Sequence, residues 1–513
     1  MLTGQVGDCS NLLPMNILFP NSILDKHVYA LHLANAYDLS KKNEKTVIIR
    51  CNGFLKACEV NVVGSKLRCR ICTKRVDFLA KSVNVDVIDL NDISIFKKDT
   101  KFGSNQSKDG VKVGEVLGVS AAGTIASYER VSDLNRLSEF GKSKYKILRE
   151  ESKKLYNTIS DLQNFLTVEK NNLYEMVGSP KINVYVFNGR YVTALPFFLF
   201  ADNKKEVNFY ATELWGQKNP IISKNRIIHD PSYIYESCLK AYSILNESES
   251  EFLAQQYYKS RWSQKGNNNG EKNFTKKQKK TNKNIFCKNV KIKISMFPSS
   301  GYEYNFLPYG YDPVIQDFES KCFLDRLSKS KEQIEVIIRL HPNLSNATEL
   351  EYNSFQELSK KTGKNLSVRV INPTDVISTY QLMRESDYVI SFASFASVEA
   401  NYLEKKTLQI GPSRYRYFNI SNQYKDGYKA AQAILQDKVD YKSKLGSIVF
   451  ACGFMSRTDF MKSYIFNGKM LTANKIKIKT SLLEKIVLYI SSYDFFLCRF
   501  SSYILHKVNN DFK

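Results

Sequence analysis

Short apolar runs recur along this chain. Each is stopped by a turn rich in Pro, Gly, Ser or Asn, and stretches of helical period separate them. Asn16-Ile-Leu-Phe-Pro20 is the first run, ended by Asn21-Ser22. A helix is predicted from about Asp25 to Ser40, with Val28, Leu31 and Leu39 forming its apolar stripe. Thr46–Arg50 and Val85–Leu90 read as the next strands, so the start of the chain is a βαβ unit. Further on, Glu139–Tyr174 is helical, and Ile182–Phe187 is a strand ended by Asn188-Gly189-Arg190. Val207–Thr212 is another strand. The Gly- and Lys-rich stretch Lys101–Gly118 reads as a loop.

A second series begins at Val290–Phe297, which runs into Pro298-Ser299-Ser300-Gly301-Tyr302-Glu303. The run from Glu335 halts at His341-Pro342-Asn343, and Leu366–Ile371 halts at Asn372-Pro373. Asp387-Tyr-Val-Ile-Ser391 is followed by Phe392-Ala393-Ser394, a helix over Phe395–Lys405 that Ser394 would cap, and a strand over Thr407–Gly411. Both series predict parallel sheets. In such sheets ligands sit outside the carboxyl ends of the strands. His341, Ser391, Ser394 and Glu399 fall at or just past those ends. A histidine, small hydroxyls and a helix start suit a phosphate group.

Composition narrows the picture. With 513 residues the chain exceeds one core, and 43% hydrophobic with 12% aromatic residues is globular rather than disordered. The formal charge of +24, from 75 Lys and Arg against 51 Asp and Glu, fits nucleic acid, an anionic membrane surface or anionic small molecules. The excess is diffuse apart from a Lys-rich run near residues 272–283, and no nucleic-acid-binding signature accompanies it, so no nucleic-acid partner is expected. No stretch reaches about 18 uninterrupted apolar residues, which excludes a predicted membrane span. Met1–Asn16 lacks the charged start and long apolar core of an export signal, so the expected location is the cytoplasm. The ten cysteines are then expected as thiols or metal ligands rather than disulfides.

Four of them stand out. Cys51, Cys58, Cys69 and Cys72 end in a Cys-x-x-Cys pair, the spacing of a zinc ligand set, although the wider gap between the first two is unusual for a zinc knuckle. They read either as a structural zinc or redox cluster, or as reduced thiols in a packed loop. Arg190, at a strand's carboxyl end, is either a contact for a phosphate or acceptor, or part of a simple turn.

The Lys-, Asn- and Gly-rich stretch at 263–284 divides the chain into an N-terminal domain (1–262) and a C-terminal domain (285–450). A C-terminal segment (451–513) includes an amphipathic stretch over Ser481–Val508 with flanking basic residues. That segment either packs back on the first domain or lies on an anionic membrane.

Phe297-Pro-Ser-Ser-Gly-Tyr-Glu303, Arg339-Leu-His-Pro-Asn343 and Ser394-x-x-x-x-Glu399-Ala400 resemble the motifs of bacterial capsule and surface-polysaccharide biosynthesis proteins. In the first half His27, Cys51-Asn-Gly53, Cys58, Cys69-x-x-Cys72 and Asn188-Gly-Arg190 resemble the same family's pattern. The likeness spans roughly residues 16–415. The His-Pro followed by a Ser-rich turn also resembles Kdo transferases, bacterial sialyltransferases and CDP-glycerol polymerases. Two departures are visible: Phe392-Ala393 stands in place of the usual glycine before Ser394, and Gly301 stands where an acidic residue is common.

The resemblance implies a GT-B fold, with two Rossmann-like α/β domains facing across a cleft. It implies a glycosyltransferase of surface polysaccharide assembly that takes a CMP-, UDP- or GDP-linked sugar and needs no metal for catalysis. Its acceptor would be lipid-linked or a polysaccharide, met at the inner face of the cytoplasmic membrane. Ser299, Ser300, Arg339, His341, Ser391 and Ser394 would hold the donor, Arg339 unless it turns into the core as a paired charge. Glu399 would contact ribose or base unless it only caps its helix. His27, with Asp25 beside it, would be the base that takes the acceptor's proton, and Glu303 is its rival. The alternatives are a CDP-glycerol-type polyol-phosphate transferase and a non-catalytic basic protein that binds membrane or nucleic acid.

Overall fold

The structure is a computed structural model that describes residues 14–42, 44–96, 113–168, 181–215, 219–262, 278–281, 283–308, 314–456, 464–466, 471–473 and 476–477. The chain divides into two compact units. Unit 1 comprises Met1–Ile125, Ser138–Ile228 and Asp459–Lys513; unit 2 comprises Ala126–Leu137 and His229–Thr458.

Unit 1 is built on six strands: β1 (Met15–Leu18), β2 (Thr46–Arg50), β3 (Asp86–Asp89), β4 (Ile182–Phe187), β5 (Val207–Trp215) and β6 (Asn219–Lys224). They lie in the order β3-β2-β1-β4-β5-β6, parallel except for β6. Apolar clusters cover both faces, which is why the strands read as continuous apolar runs. Three buried or half-buried asparagines fix the register. Asn183 donates to Asn16 at 3.1 Å and Asn208 donates to Asn183 at 3.0 Å, across directly paired positions of β1, β4 and β5. Unit 1 also holds β13 (Tyr464–Phe466), β14 (Leu471–Ala473) and β15 (Ile476–Lys477), and β13 and β14 lie against the helix Lys26–Ser40.

Unit 2 repeats the plan with β7 (Ile292–Phe297), β8 (Ile334–Arg339), β9 (Leu366–Ile371), β10 (Tyr388–Ser391), β11 (Lys406–Ile410) and β12 (Asn422–Tyr424). All are parallel, in the order β12-β11-β10-β7-β8-β9, again with apolar clusters on both faces. Counted along each unit's own strands, both sheets have the doubly wound nucleotide-binding order. The fold is therefore two Rossmann-like α/β units, the composition of the GT-B class.

Several details differ from the sequence expectation. The helices Pro231–Tyr242 and Glu247–Trp262 pack on the helix Leu445–Ser456, so the main stretch of unit 2 begins at His229 rather than after a linker at 263–284. Most of that linker, residues 101–112 and the stretch Ser481–Val508 lie outside the described residues. Residues 113–118 are helical rather than loop, because Val113, Val116 and Leu117 are buried apolar positions of the helix Val113–Glu129. Among the described residues no helix is long and apolar enough to cross a membrane.

Ala126–Leu137 joins unit 2 through a buried polar knot. Arg136 pairs with Asp317 at 2.6 Å and with Glu351 at 2.9 Å, and Glu351 also accepts from Ser132. Gly301 belongs to the same contact. A Cβ there would stand 2.5 Å from that of Ser132, so its close backbone approach is to the protein's own chain.

Candidate functional site

The carboxyl ends of β7 and β8 bring two of the sequence motifs together. After β8, His341 caps the short 3-10 turn Pro342–Asn346, its Nδ1 accepting from the Asn343 amide at 3.2 Å. The Ser300 hydroxyl lies 3.1 Å from the same Nδ1. Asn343 donates through its side chain to the Glu303 carboxylate at 3.0 Å. Since Nδ1 accepts, a neutral His341 ring carries its proton on Nε2 and donates from there. The loops Pro298–Glu303 and His341–Asn343 are thus locked into one polar surface at the strand ends.

Arg339 is the last residue of β8 and only 3% exposed. Its Nη2 donates to the Asp375 carbonyl at 3.0 Å, while Nη1 is buried with no hydrogen-bond partner. Burial pulls its pKa down to about 10, against the attraction of Asp375. The alternative reading of Arg339, a paired charge turned into the core, is only half met: it is buried, but a backbone carbonyl rather than a carboxylate accepts from it. A buried unpartnered guanidinium nitrogen is the kind of group an anion completes.

Other residues expected in the phosphate site point elsewhere. Ser299 is tied to Gln316, which accepts from its amide at 2.9 Å and donates to its hydroxyl at 3.0 Å. Ser391 is fully buried and donates to Gln409 of β11 at 2.8 Å. Ser394 accepts from the Ala396 amide at 3.3 Å, at the start of a helix that spans only Ala396–Tyr402. Ala393 before it takes a left-handed φ of 52°, at the position where the resembled family has glycine. Glu399 requires correction. It is 4% exposed and accepts from Arg261 at 2.5 Å and Tyr380 at 2.9 Å, so it is an internal ion pair rather than a ribose contact. It lies on the inward face of its helix, with Arg261 stacked over the Phe395 ring.

In unit 1 Asp25 caps the helix Lys26–Ser40, accepting from the amides of His27 at 2.7 Å and Val28 at 3.1 Å. That duty accounts for its carboxylate. His27 is half-buried, and burial lowers its pKa, partly offset by Asp25. Arg190 stacks over Tyr191, and its carbonyl accepts from Ser120 at 2.7 Å. A cluster that the sequence reading missed sits between the ends of β1 and β4. Glu59 accepts from Asn21 at 3.3 Å, Ser22 at 2.9 Å and Thr193 at 2.7 Å. Asn21 in turn accepts from the Phe187 amide at 2.7 Å and donates to its carbonyl at 3.1 Å. The polar pair Asn21-Ser22 after the first strand was the visible sign; nothing local marked Glu59 or Thr193.

Cys51 and Cys58 lie in the turns after β2, whereas Cys69 and Cys72 are on the helix Lys66–Val83, not in a loop. Among the described residues no group of three or more His, Cys, Asp or Glu side chains stands at metal-binding distances.

No protein-family model matches the chain, and no curated protein matches it. Among solved structures it is similar to a Thermosulfurimonas dismutans KpsC, a beta Kdo 2,4 transferase, at 12% identity over 53% of this chain and 79% of that one, with a TM-score of 0.34. A beta Kdo 2,7 transferase KpsC of the same organism matches at 14% identity over 53% and 76%, with a TM-score of 0.31. A Listeria monocytogenes putative UDP-N-acetylglucosamine 2-epimerase matches at 10% identity over 88% and 93%, with a TM-score of 0.26. The fold assignment above rests on strand order and register, not on these distant likenesses.

Proposed function

We propose that this chain is a glycosyltransferase that moves a sugar from a CMP-, UDP- or GDP-linked donor onto a growing surface polysaccharide, such as capsule or O-antigen, with unit 2 binding the donor. One observation carries this reading. At the carboxyl edge of the unit 2 sheet, the His341–Ser300 pair stands two residues from a buried arginine whose Nη1 has no partner. Transfer leaves negative charge on the departing phosphate, and fixed donors in a water-poor site stabilise it. His341 donates from Nε2 and Arg339 supplies positive charge, while Ser300 fixes the imidazole. In this reading the chain's own side chains meet the phosphate charge, and no metal step is invoked.

The acceptor hydroxyl must lose a proton. His27 suits this, since its lowered pKa keeps it neutral at pH 7. Asp25 caps the start of the helix that carries it, accepting from the His27 backbone amide. Glu303, held by Asn343, is the alternative base. The acceptor is read as lipid-linked or polysaccharide, met at the inner face of the cytoplasmic membrane.

A thermal-shift screen of nucleotides, followed by calorimetry, tests the proposal. CMP, UDP or GDP sugars should raise the melting temperature, and His341→Ala should weaken the best hit about ten- to a hundredfold, roughly 1 to 3 kcal/mol. Unchanged affinity in that variant refutes the phosphate role of His341. His27→Ala should leave donor affinity intact and stop transfer; if Glu303→Gln alone does so, the base is Glu303. Selective consumption of CDP-glycerol would instead make the chain a polyol-phosphate transferase.

A further inference from the structure

Glu59 and the donors around it play no part in the phosphate chemistry assigned to unit 2. They line a cavity of unit 1 at the carboxyl ends of β1, β2 and β4. Its polar lining includes Asn21, Ser22, Glu59 and Thr193, and its apolar lining includes Phe19 and Leu55. The exposed turn Asn52-Gly53 also lines it, so the cavity reaches the surface. It encloses about 50 Å³. That admits a few water-sized groups, enough for the hydroxyl edge of one sugar ring with the rest of the molecule outside.

The Glu59 carboxylate is held still yet keeps acceptor capacity. Oε1 accepts from Asn21, Ser22 and Thr193, whereas Oε2 accepts from the Thr193 hydroxyl, at 2.9 Å. That hydroxyl has one proton to share between two oxygens, so Oε2 keeps room for another donor. The three donors are neutral and do not cancel the negative charge. Two arginines also line the cavity, but both are engaged. Arg50 pairs with Asp77 and, at 2.6 Å, with Asp89, and Arg68 donates to the Val60 carbonyl at 3.0 Å. The turn that presents Ser22 is fixed from outside itself. Ser22 takes a left-handed φ of 55°. Beside it, the Asn21 carbonyl lies 2.8 Å from Nε2 of the buried His32, and buried Arg75 donates to the Ile23 and Leu24 carbonyls at 2.8 Å each. A costly backbone conformation held in this way is a feature of ligand-binding turns.

We infer that this cavity is a subsite for a neutral sugar, in which Glu59 accepts hydrogen bonds from sugar hydroxyls while Asn21, Ser22 and Thr193 hold it in place. A fixed carboxylate is a strong acceptor for hydroxyl donors, and the apolar lining suits the C–H face of a sugar. An acidic sugar is rejected, because its carboxylate would meet Glu59 in a water-poor cavity where like charges repel strongly. That the sugar is the terminal residue of the acceptor rests on the glycosyltransferase reading; the subsite itself does not.

Saturation-transfer difference NMR on the full chain tests the subsite. The neutral probes are the methyl glycosides of glucose, galactose and N-acetylglucosamine, and the acidic probes are glucuronate and N-acetylneuraminate. CMP, UDP and GDP are present throughout, to keep acidic sugars off unit 2. A neutral glycoside should bind, and the acidic sugars should bind at least about tenfold more weakly. Glu59→Gln should weaken neutral binding about tenfold, as a hydrogen bond to a charged group becomes one to a neutral group, and leave nucleotide affinity unchanged. Unchanged neutral binding in a folded Glu59→Gln chain overturns the subsite. So does a wild-type chain that binds acidic sugars as tightly as neutral ones, or binds no neutral glycoside, and neither readout needs a variant. Nucleotide binding without neutral-sugar binding removes the subsite and keeps the donor site. Glu59-dependent sugar binding in a chain that no nucleotide stabilises keeps the subsite and removes the transferase reading.

Discussion

The two units use one sheet plan and fill its edge with opposite chemistry. In unit 1, the switch between β1 and β4 carries a carboxylate, Glu59, ringed by Asn21, Ser22 and Thr193. In unit 2, the equivalent switch adjoins a histidine, a serine and a buried arginine with one unpartnered nitrogen. The strand order places each crevice; the loops after the strands decide what enters it. An edge lined by donors and a positive charge suits a phosphate. An edge built around an acceptor carboxylate suits hydroxyl groups and repels anions.

Stability separates the units most strongly through Arg136. Its two carboxylate partners, Asp317 and Glu351, sit in unit 2, and Glu351 is almost wholly buried. Arg136→Ala should therefore destabilise unit 2 by about 3 to 5 kcal/mol, since it leaves an uncompensated buried charge. Urea unfolding followed by Trp262 fluorescence in a Trp215→Phe background measures it. A loss below about 1 kcal/mol would mean the knot does not hold Ala126–Leu137 in place.

Acid should act on unit 1 through a different group. His32 is fully buried, with Nε2 paired to the Asn21 carbonyl, and burial lowers its pKa from 6.5 to about 4. Between those values the unfolded chain holds a proton that the folded chain does not, so stability rises with pH. The contribution is complete above pH 6.5 and is lost as pH falls toward 4, about 3 kcal/mol in all. Hydrogen exchange of β1 and β4 amides across that range reads it, and His32→Leu should flatten the slope. An unchanged slope in that variant would assign the acid loss to other groups.

The smallest effect returns to unit 2. Ala393 holds a left-handed φ of 52° just before Ser394. Ala393→Gly should stabilise unit 2 by about 1 kcal/mol, because glycine takes this conformation without steric cost. A destabilisation on thermal melting would show that the methyl group's packing outweighs the strain.

Much of the architecture was legible in the chain. The predicted spans Thr46–Arg50, Ile182–Phe187 and Leu366–Ile371 coincide with β2, β4 and β9, because strands buried on both faces must be apolar throughout. The pairing of His341 with Ser300 was foreshadowed by two turns at strand ends, though their separation of 41 residues hid the contact itself. Glu399 misled, since a carboxylate near a helix start reads the same whether it faces a ligand or an internal Arg261. Residues 113–118 misled too, where glycines suggested a loop inside a helix whose apolar side is buried.

By itself, then, the sequence determined the alternation of apolar runs and turns, and with it two parallel α/β sheets whose polar residues gather at the strand ends. That follows from local periodicity and the exclusion of apolar groups from water. Only the tertiary structure decided which polar groups meet. It buried Ser391 and Glu399 against internal partners, left Nη1 of Arg339 without one, and brought Glu59 to β1 and β4. Such pairings join residues far apart in the chain, and their hydrogen-bond geometry is set by packing that no local pattern encodes.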